Sequence, residues 1–284
     1  MRFDYHMHFE KGSYDTEWAE GFFRAAEERH LDEVGFSDHS HTFPEFKDLY
    51  YKDLILDDSF IGQFQKKWLK KNKFKYTLDE YFAFMDKLRA RHPGTKTGIE
   101  VCNFSDQEAV GKILDKYPFD YRIGSIHFIK GWAYDSEEIE SVWHTVDLDD
   151  VYSWYADEAI RLIESGNYDV LGHPFNIRVY VHIPEFDATP YIKKVIAAMK
   201  RCGTIVDVNT GTLYRYPIKE ISPYYKFMRL AAEAHLPIMT SSDAHRPEDC
   251  GRENEQAIAY ARMYGYKECV HFTGSRKWEM VPLG

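Results

Sequence analysis

The chain has 284 residues, a length that fits one barrel-sized domain and buries about three quarters of the surface that the unfolded chain exposes. Its formal charge of −10 argues against a general nucleic-acid-binding protein, because such proteins present a basic surface. No apolar run approaches the roughly 20 residues that span a bilayer, so the sequence predicts no membrane association.

Apolar runs alternate with helical patterns along the whole chain. The apolar runs predict seven buried strands, near 2–7, 33–38, 96–101, 121–127, 169–173, 204–209 and 237–242. The helical patterns lie near 15–30, 77–92, 105–116, 149–165, 187–201, 222–235 and 253–265. Strand followed by helix, repeated seven times, predicts a parallel sheet curled into a distorted (β/α)₇ TIM-like barrel, a single α/β domain over residues 1–284.

Residues 41–76 interrupt this alternation, because they are too long for a simple loop after the second strand. They include a basic run from Lys66 to Lys75 in an otherwise acidic chain. We expect a helical insertion with a solvated face, and a lid that faces the substrate is the alternative.

Metal-binding side chains stand at the carboxyl ends of six predicted strands. His6 and His8 are two apart in an extended strand, so their imidazoles face the same way and can hold one ion. The carboxyl ends of parallel strands converge on one rim, where residues spread over about 240 positions can meet. Burial of so many polar groups without a metal would leave several of them without partners. The sequence therefore predicts a multinuclear metal site on that rim, built from His6, His8, His39, Glu100, His127, His173, Asp243 and His245.

Six short motifs carry these ligands. They are Asp4-x-His6-x-His8, Ser37-Asp38-His39, Gly98-Ile99-Glu100, Gly124-Ser125-Ile126-His127, Gly172-His173-Pro174 and Ser242-Asp243-Ala244-His245. In order and identity they resemble the motifs of the polymerase and histidinol phosphatase (PHP) family over nearly the whole chain. Their wording is most similar to that of the monofunctional histidinol-phosphate phosphatases.

The resemblance implies a PHP-type barrel that binds two or three divalent ions, with zinc, manganese and iron all compatible with imidazole and carboxylate ligands. A second ion would be held by His127 and His173, and Glu100 would bridge it to the first ion. The first ion would be held by His6, His8, Glu100 and Asp243.

A third ion would take His39 and His245, with one more ligand from the loop after the first strand. The commonest family pattern has a histidine in that loop, and this chain has none. Glu10 and Asp15 are the two candidates to replace it.

The expected reaction is hydrolysis of a phosphomonoester by a hydroxide that bridges two metal ions, since closely spaced divalent ions activate water and stabilise displacement at phosphorus. Besides the bridging Glu100, either Asp243 or His245 would protonate the leaving oxygen. Similar loops in histidinol phosphatases carry phosphate-binding arginines, and Arg178 and Arg215 are the corresponding candidates here, because a guanidinium meets phosphate oxygens in pairs.

Three further residues near the predicted site have less definite roles. Trp132 and Tyr134 follow His127 and are candidates to stack on an imidazole or a nucleobase. His41, two residues after His39, is as readily solvent-exposed as part of the site.

The leading functional hypothesis is a metal-dependent phosphatase that converts L-histidinol phosphate to L-histidinol and phosphate, a late step of histidine synthesis. Alternatives are the same chemistry on a nucleoside bisphosphate or a sugar phosphate, a non-catalytic metal-binding domain, and a nuclease, which the acidic charge disfavours. The four cysteines include no Cys-x-x-Cys pair, so we expect reduced thiols and a cytoplasmic location. The oligomeric state stays open.

Overall fold

The computed structural model describes residues 1–71 and 73–284. Its strands are β1 (Phe3–Asp4), β2 (Glu33–Phe36), β3 (Lys96–Cys102), β4 (Tyr121–Ser125), β5 (Val170–Leu171), β6 (Ile205–Asn209), β7 (Ile238–Ser241), β8 (Glu268–Gly274) and β9 (Lys277–Pro282). Its helices are α1 (Thr16–Glu28), α2 (Lys47–Asp53), α3 (Phe60–Lys70), α4 (Leu78–Arg91), α5 (Gln107–Leu114), α6 (Leu148–Glu164), α7 (Thr189–Cys202), α8 (Gly211–Arg215), α9 (Tyr225–Glu233) and α10 (Asn254–Met263).

Strands β1 to β7 pair in parallel and in chain order. The two outer strands also meet, since Met7 forms a parallel bridge with Ala244 and the His8 amide donates to the Ala244 carbonyl at 2.8 Å. The sheet is therefore nearly closed, and the predicted seven-stranded barrel is confirmed. Its carboxyl-terminal rim gathers the ends of all seven strands, as expected of this architecture.

Most of the strands are shorter than predicted, and several end just before a metal-binding side chain. β4 stops at Ser125, two residues before His127, and β5 stops at Leu171, two residues before His173. Regular pairing ends where the chain turns over the rim, so the polar residues project from irregular backbone. β3 differs, because it continues through Glu100 to Cys102.

The opposite end of the barrel is covered by an antiparallel hairpin, β8 and β9, which the sequence patterns did not predict. Phe272 of β8 is fully buried and its ring lies 4.8 Å from that of Tyr121 and 5.2 Å from that of Tyr5. These aromatic contacts pack the hairpin against the amino-terminal end of the strands, on the side of the barrel away from the carboxyl-terminal rim.

The predicted insertion at 41–76 is helical, with α2 and α3 followed by the start of α4. Asn72, within this segment, lies outside the described residues. A capping box starts α4, because the Thr77 hydroxyl accepts from the Glu80 amide and the Glu80 carboxylate accepts from the Thr77 amide. Over residues 1–71 and 73–284, no helix has the length and apolar character needed to cross a membrane.

Candidate metal centre

Glu100 lies at the centre of the rim cluster, surrounded by five imidazoles. Its carboxylate is buried, and its two oxygens face different sets of histidines. Oε2 lies 2.9, 3.2 and 3.6 Å from the Nε2 atoms of His39, His6 and His8, respectively. Oε1 lies 3.0 and 3.4 Å from the Nε2 atoms of His173 and His127. This division of the two oxygens is the arrangement that a bridging carboxylate needs.

His6 is oriented by a buried carboxylate that the sequence interpretation did not single out. Its Nδ1 lies 2.9 Å from Oδ2 of Asp207, on β6, which also accepts from the backbone amide of His173 at 3.1 Å. Since Asp207 engages Nδ1, Nε2 is left to face Glu100 and act as a metal ligand. The available signal was a carboxylate inside an apolar strand run, Ile205–Asn209.

Asp243 links two of the predicted ligands to an arginine. Its Oδ1 lies 3.2 Å from His8 Nε2 and 3.3 Å from His245 Nε2. Arg215 donates to both oxygens of Asp243, from Nη1 at 3.2 Å and from Nη2 at 3.0 Å. Burial raises the pKa of Asp243, but Arg215 and His6 outweigh it and hold that pKa well below its ordinary value. Asp243 is therefore ionised and is unsuited to the role of proton donor.

Glu10 lies in the group that contains His39 and His245, whereas Asp15 does not. Glu10 Oε1 lies 2.7 Å from His245 Nδ1, and Oε2 lies 3.6 Å from His39 Nδ1. The Asp15 carboxylate caps α1, where it accepts from the Glu17 amide at 2.9 Å. Of the two alternatives for the third ion, the geometry favours Glu10.

His41 also joins this group and is buried, so of the two alternatives for His41 the structure favours a place in the site. Its Nε2 lies 3.4 Å from Glu10 Oε2, and its ring stacks on that of His39 with centroids 4.7 Å apart. The spacing of His39 and His41, two residues apart like His6 and His8, was the signal for this pair.

Two of the predicted ligands, His173 and Asp243, have left-handed backbone conformations. The φ angle is 25° at His173 and 54° at Asp243, and neither residue is glycine. Residues with side chains adopt this region at a cost that surrounding contacts must offset, and such residues concentrate at functional sites. Gly172 lets the backbone before His173 lie close to Ser125 of β4, because a Cβ at residue 172 would lie 2.1 Å from the Ser125 hydroxyl.

The chemistry of the buried polar atoms tests whether metal ions fit this centre. Glu100 Oε2 and His6 Nε2 are buried and form no hydrogen bond with any described residue. The same is true of the Nδ1 atoms of His8, His39 and His173. A buried polar atom without a hydrogen-bond partner destabilises the folded protein unless another group, such as a metal ion, binds it. Groups of three such side chains bring their ligand atoms within 4.8 Å of one another, for example His6, His8 and Glu100. The residues present therefore fit divalent cations.

The charges of the cluster also favour cation binding. Burial by itself raises the pKa of Glu100, but His39, His6 and His127 outweigh it and hold that pKa well below its ordinary value. Burial lowers the pKa of His127 to about 3, so its imidazole is neutral at pH 7. An ionised carboxylate beside a neutral imidazole is the protonation state that metal ligands require.

The family assignment agrees with this geometry. Residues 4–211 match the family described as the PHP domain, which is well over half of the chain. The chain belongs to the PHP domain family.

Two curated relatives of this PHP protein are named probable histidinol-phosphatases. The one from Deinococcus radiodurans is 29% identical over 175 residues, a match that covers 61% of this chain and 62% of the relative. The one from Clostridium acetobutylicum is 26% identical over 199 residues, which is 67% of this chain and 75% of the relative. The match to the Deinococcus protein thus spans less than two thirds of that protein.

Two solved structures share the fold of the PHP protein. Histidinol phosphate phosphatase from Lactococcus lactis, complexed with zinc, L-histidinol and phosphate, has a TM-score of 0.70 at 19% identity, with 98% of both chains covered. The putative histidinol phosphatase from Listeria monocytogenes has a TM-score of 0.72 at 21% identity, with 90% of this chain and 99% of that chain covered. At these identities the likeness establishes the barrel and its topology.

A cavity of about 400 Å³ opens onto the metal centre of the PHP protein. Phe64, Trp68 and Lys73 from the insertion line it, so the insertion faces the site as the lid alternative predicted. Lys67 and Lys70 are exposed, so the other side of α3 is the expected solvated face.

Arg178 is absent from the described lining of this cavity, whereas Arg215 is part of it. The Arg178 guanidinium donates to Glu220 at 2.9 Å and lies 4.0 Å from the Tyr224 ring centroid, so an ion pair and an aromatic contact hold it on another surface. The structure does not support Arg178 as a phosphate ligand.

Trp132 and Tyr134 are also turned away from the cavity. Both are buried in the protein core, where the Tyr134 hydroxyl donates to Ile126 and the two rings pack near Trp143. The expectation that they stack on a ligand is wrong. Tyr180 and Tyr216 line the cavity instead.

Replacement of Asp207 by asparagine should weaken metal binding about 10- to 100-fold, because an amide fixes the His6 tautomer and ring less firmly than a carboxylate. Competition with a fluorescent chelator measures this affinity. Asp32→Asn is the control, since Asp32 binds the Arg2 amide at the far end of the barrel and should leave metal affinity unchanged. Equal affinity of Asp207→Asn and the wild type would contradict the orienting role of Asp207.

Proposed function

We propose that this protein is a metal-dependent phosphomonoesterase that hydrolyses L-histidinol phosphate to L-histidinol and phosphate. The observation that carries the proposal is the position of Glu100, whose two buried oxygens divide five imidazoles between them. Three of these imidazoles, those of His39, His127 and His173, line a cavity together with Arg215. The names of the two curated relatives and the ligands in the Lactococcus structure support the choice of substrate.

Two or three divalent ions, zinc, manganese or iron, would be held by this centre. One group consists of His6, His8, Glu100 and Asp243, and a second consists of Glu100, His127 and His173. The third consists of His39, His245 and Glu10, with His41 beside it. When bound, closely spaced divalent cations lower the pKa of water and neutralise charge on a phosphate ester.

The protein groups around the centre would orient the ester and supply a proton. Arg215 Nη1 and Nη2 lie beside Asp243 and line the cavity, so the guanidinium can add charge and direction for a phosphate oxygen. Since Asp243 is held ionised, His245 is the remaining candidate for protonation of the leaving oxygen when only the first two groups hold ions, because an ion in the third group would occupy its imidazole. Its Nδ1 faces Glu10 at 2.7 Å, which positions the ring.

The remainder of the cavity favours a substrate with a cationic half. Asp135, Glu137 and Glu138 line it together with Tyr180 and Tyr216. Carboxylates attract the ammonium group of histidinol, and the phenol rings offer faces for its imidazole. The second phosphate of a nucleoside bisphosphate would meet these carboxylates with like charge, which disfavours it.

The test is a panel of phosphomonoesters with the metal-loaded enzyme. We expect kcat/KM for L-histidinol phosphate to exceed that for nucleoside 3′,5′-bisphosphates and sugar phosphates by at least about 100-fold, or ~2.7 kcal/mol of transition-state binding. A higher value for a nucleotide or a sugar phosphate would transfer the same chemistry to that substrate. Absence of turnover on every ester would support a non-catalytic domain.

A further inference from the structure

Lys73 places an ammonium group in the cavity from the insertion, next to the metal centre. Its Nζ lies 3.1 Å from Nε2 and 3.4 Å from Nδ1 of His41, and 4.4 Å from the centroid of the Trp68 ring. His41 in turn lies 3.4 Å from Glu10. The ammonium is therefore one side chain away from the group of ligands around Glu10.

Lys73 forms no ion pair with a carboxylate of residues 1–71 or 73–284, although Glu10 and Asp135 attract its charge from a greater distance. Arg215, which also lines the cavity, is instead paired with Asp243 at 3.0 Å, and Lys66 of the insertion is paired with Asp58 at 2.9 Å. Lys73 instead rests between an imidazole and an indole, which hold its position by hydrogen bonding and cation–π attraction and leave its charge in place. An ammonium that is partly withdrawn from water and has no counter-ion is a binding site for an anion.

We propose that Lys73 binds the phosphate group of the substrate. It would take the role that the sequence interpretation gave to Arg178, that of a cation that contacts the phosphate in addition to the metal ions. The proposal rests on the proposed function, because it names the recognition of the phosphate in that same cavity. Lys73 and Arg215 are both in the cavity wall, on the insertion and on α8 respectively, so the phosphate would bind between two cations from different elements. The insertion would then be a recognition element of this chain.

His41 and Trp68 are positioning residues in this proposal. Their rings lie 5.3 Å apart, nearly perpendicular, and the ammonium rests against both. They restrict a flexible side chain to one place, which lowers the entropy that phosphate binding would otherwise cost.

The experiment compares Lys73→Met with the wild type, with both proteins loaded with manganese. Isothermal titration with inorganic phosphate should give a Kd that is about 10- to 100-fold higher in Lys73→Met, the effect of one charge-assisted hydrogen bond. KM for the phosphomonoester substrate should rise to a similar extent. Lys73→Arg should recover part of the phosphate affinity because it restores the charge. Lys66→Met, on the same insertion but paired with exposed Asp58, should bind phosphate like the wild type.

Inhibition by L-histidinol distinguishes phosphate recognition by Lys73 from a merely structural role of Lys73. Since L-histidinol has no phosphate, its inhibition constant should be the same in Lys73→Met and the wild type, whereas a collapsed insertion would weaken both ligands. An unchanged phosphate Kd overturns the proposal, as does a wild type that binds no phosphate. An extra manganese ion bound to Lys73→Met, with unchanged phosphate affinity, would also overturn the proposal. It would show that the Lys73 ammonium occupies the place of a metal ion and does not bind phosphate. Phosphate binding without hydrolysis of any ester would uphold Lys73 and reject the phosphatase.

Discussion

Replacement of Glu100 by glutamine should lower kcat/KM by at least about 10³-fold, or ~4 kcal/mol, while the protein stays folded. The two oxygens of Glu100 face five imidazoles, and glutamine replaces one of these oxygens with an amide nitrogen that donates hydrogen bonds and cannot bind a cation. One of the two cation positions therefore loses its shared ligand, along with the negative charge. Steady-state kinetics, with metal content from elemental analysis, measures both losses.

Glu33→Gln is the matched control for this substitution. Glu33 is a partly buried carboxylate at the start of β2, where it accepts from Tyr5 at 2.6 Å and pairs with Lys96 at 3.1 Å. It lies at the opposite end of the strands from the metal centre, so Glu33→Gln should keep the wild-type turnover and metal content. Activity of Glu100→Gln within tenfold of the wild type, with unchanged metal content, would remove the bridging role from Glu100.

The barrel could be predicted because its strands are short, apolar and regularly followed by helices. The hairpin of β8 and β9 could not, because most of its side chains are exposed and its sequence shows no long apolar run. Its position depends on Phe272, which packs against Tyr5 and Tyr121 from distant strands. A contact between residues so far apart in the chain leaves no local pattern to recognise.

The convergence of the candidate metal ligands could be predicted because strand ends converge in any parallel barrel, so residue type and position were sufficient. Loop side chains are different, since a loop position fixes neither the direction of a side chain nor its partner. Arg178 and Arg215 both follow rim strands, yet one pairs with Glu220 and the other with Asp243. Lys73 reaches the cavity only because the insertion folds over it.

Metal binding to the metal-free protein should tighten as the pH rises above about 6.5, by about tenfold per pH unit for each proton that the metal displaces. Burial lowers the pKa of His6, but Glu100 and Asp207 outweigh it and raise that pKa well above its ordinary value. Burial also lowers the pKa of His39, yet Glu100 and Glu10 raise it overall. His6 therefore holds a proton at neutral pH that a cation must expel, and His39 keeps its proton to a higher pH than a free imidazole does, so a higher pH favours the metal.

The direction of the pKa shift differs between these two histidines and two others in the same cluster. Burial lowers the pKa of His8 well below its ordinary value and that of His127 to about 3, so neither has a proton to release at pH 7. Titration of manganese in buffers of different ionisation enthalpy counts the protons released at each pH. Asp207→Asn should release fewer, because it removes one of the carboxylates that keep His6 protonated. A metal affinity that is independent of pH between 6 and 8 would show that His6 and His39 are already neutral in the metal-free protein, and that Glu100 and its neighbouring carboxylates do not raise the pKa of either imidazole.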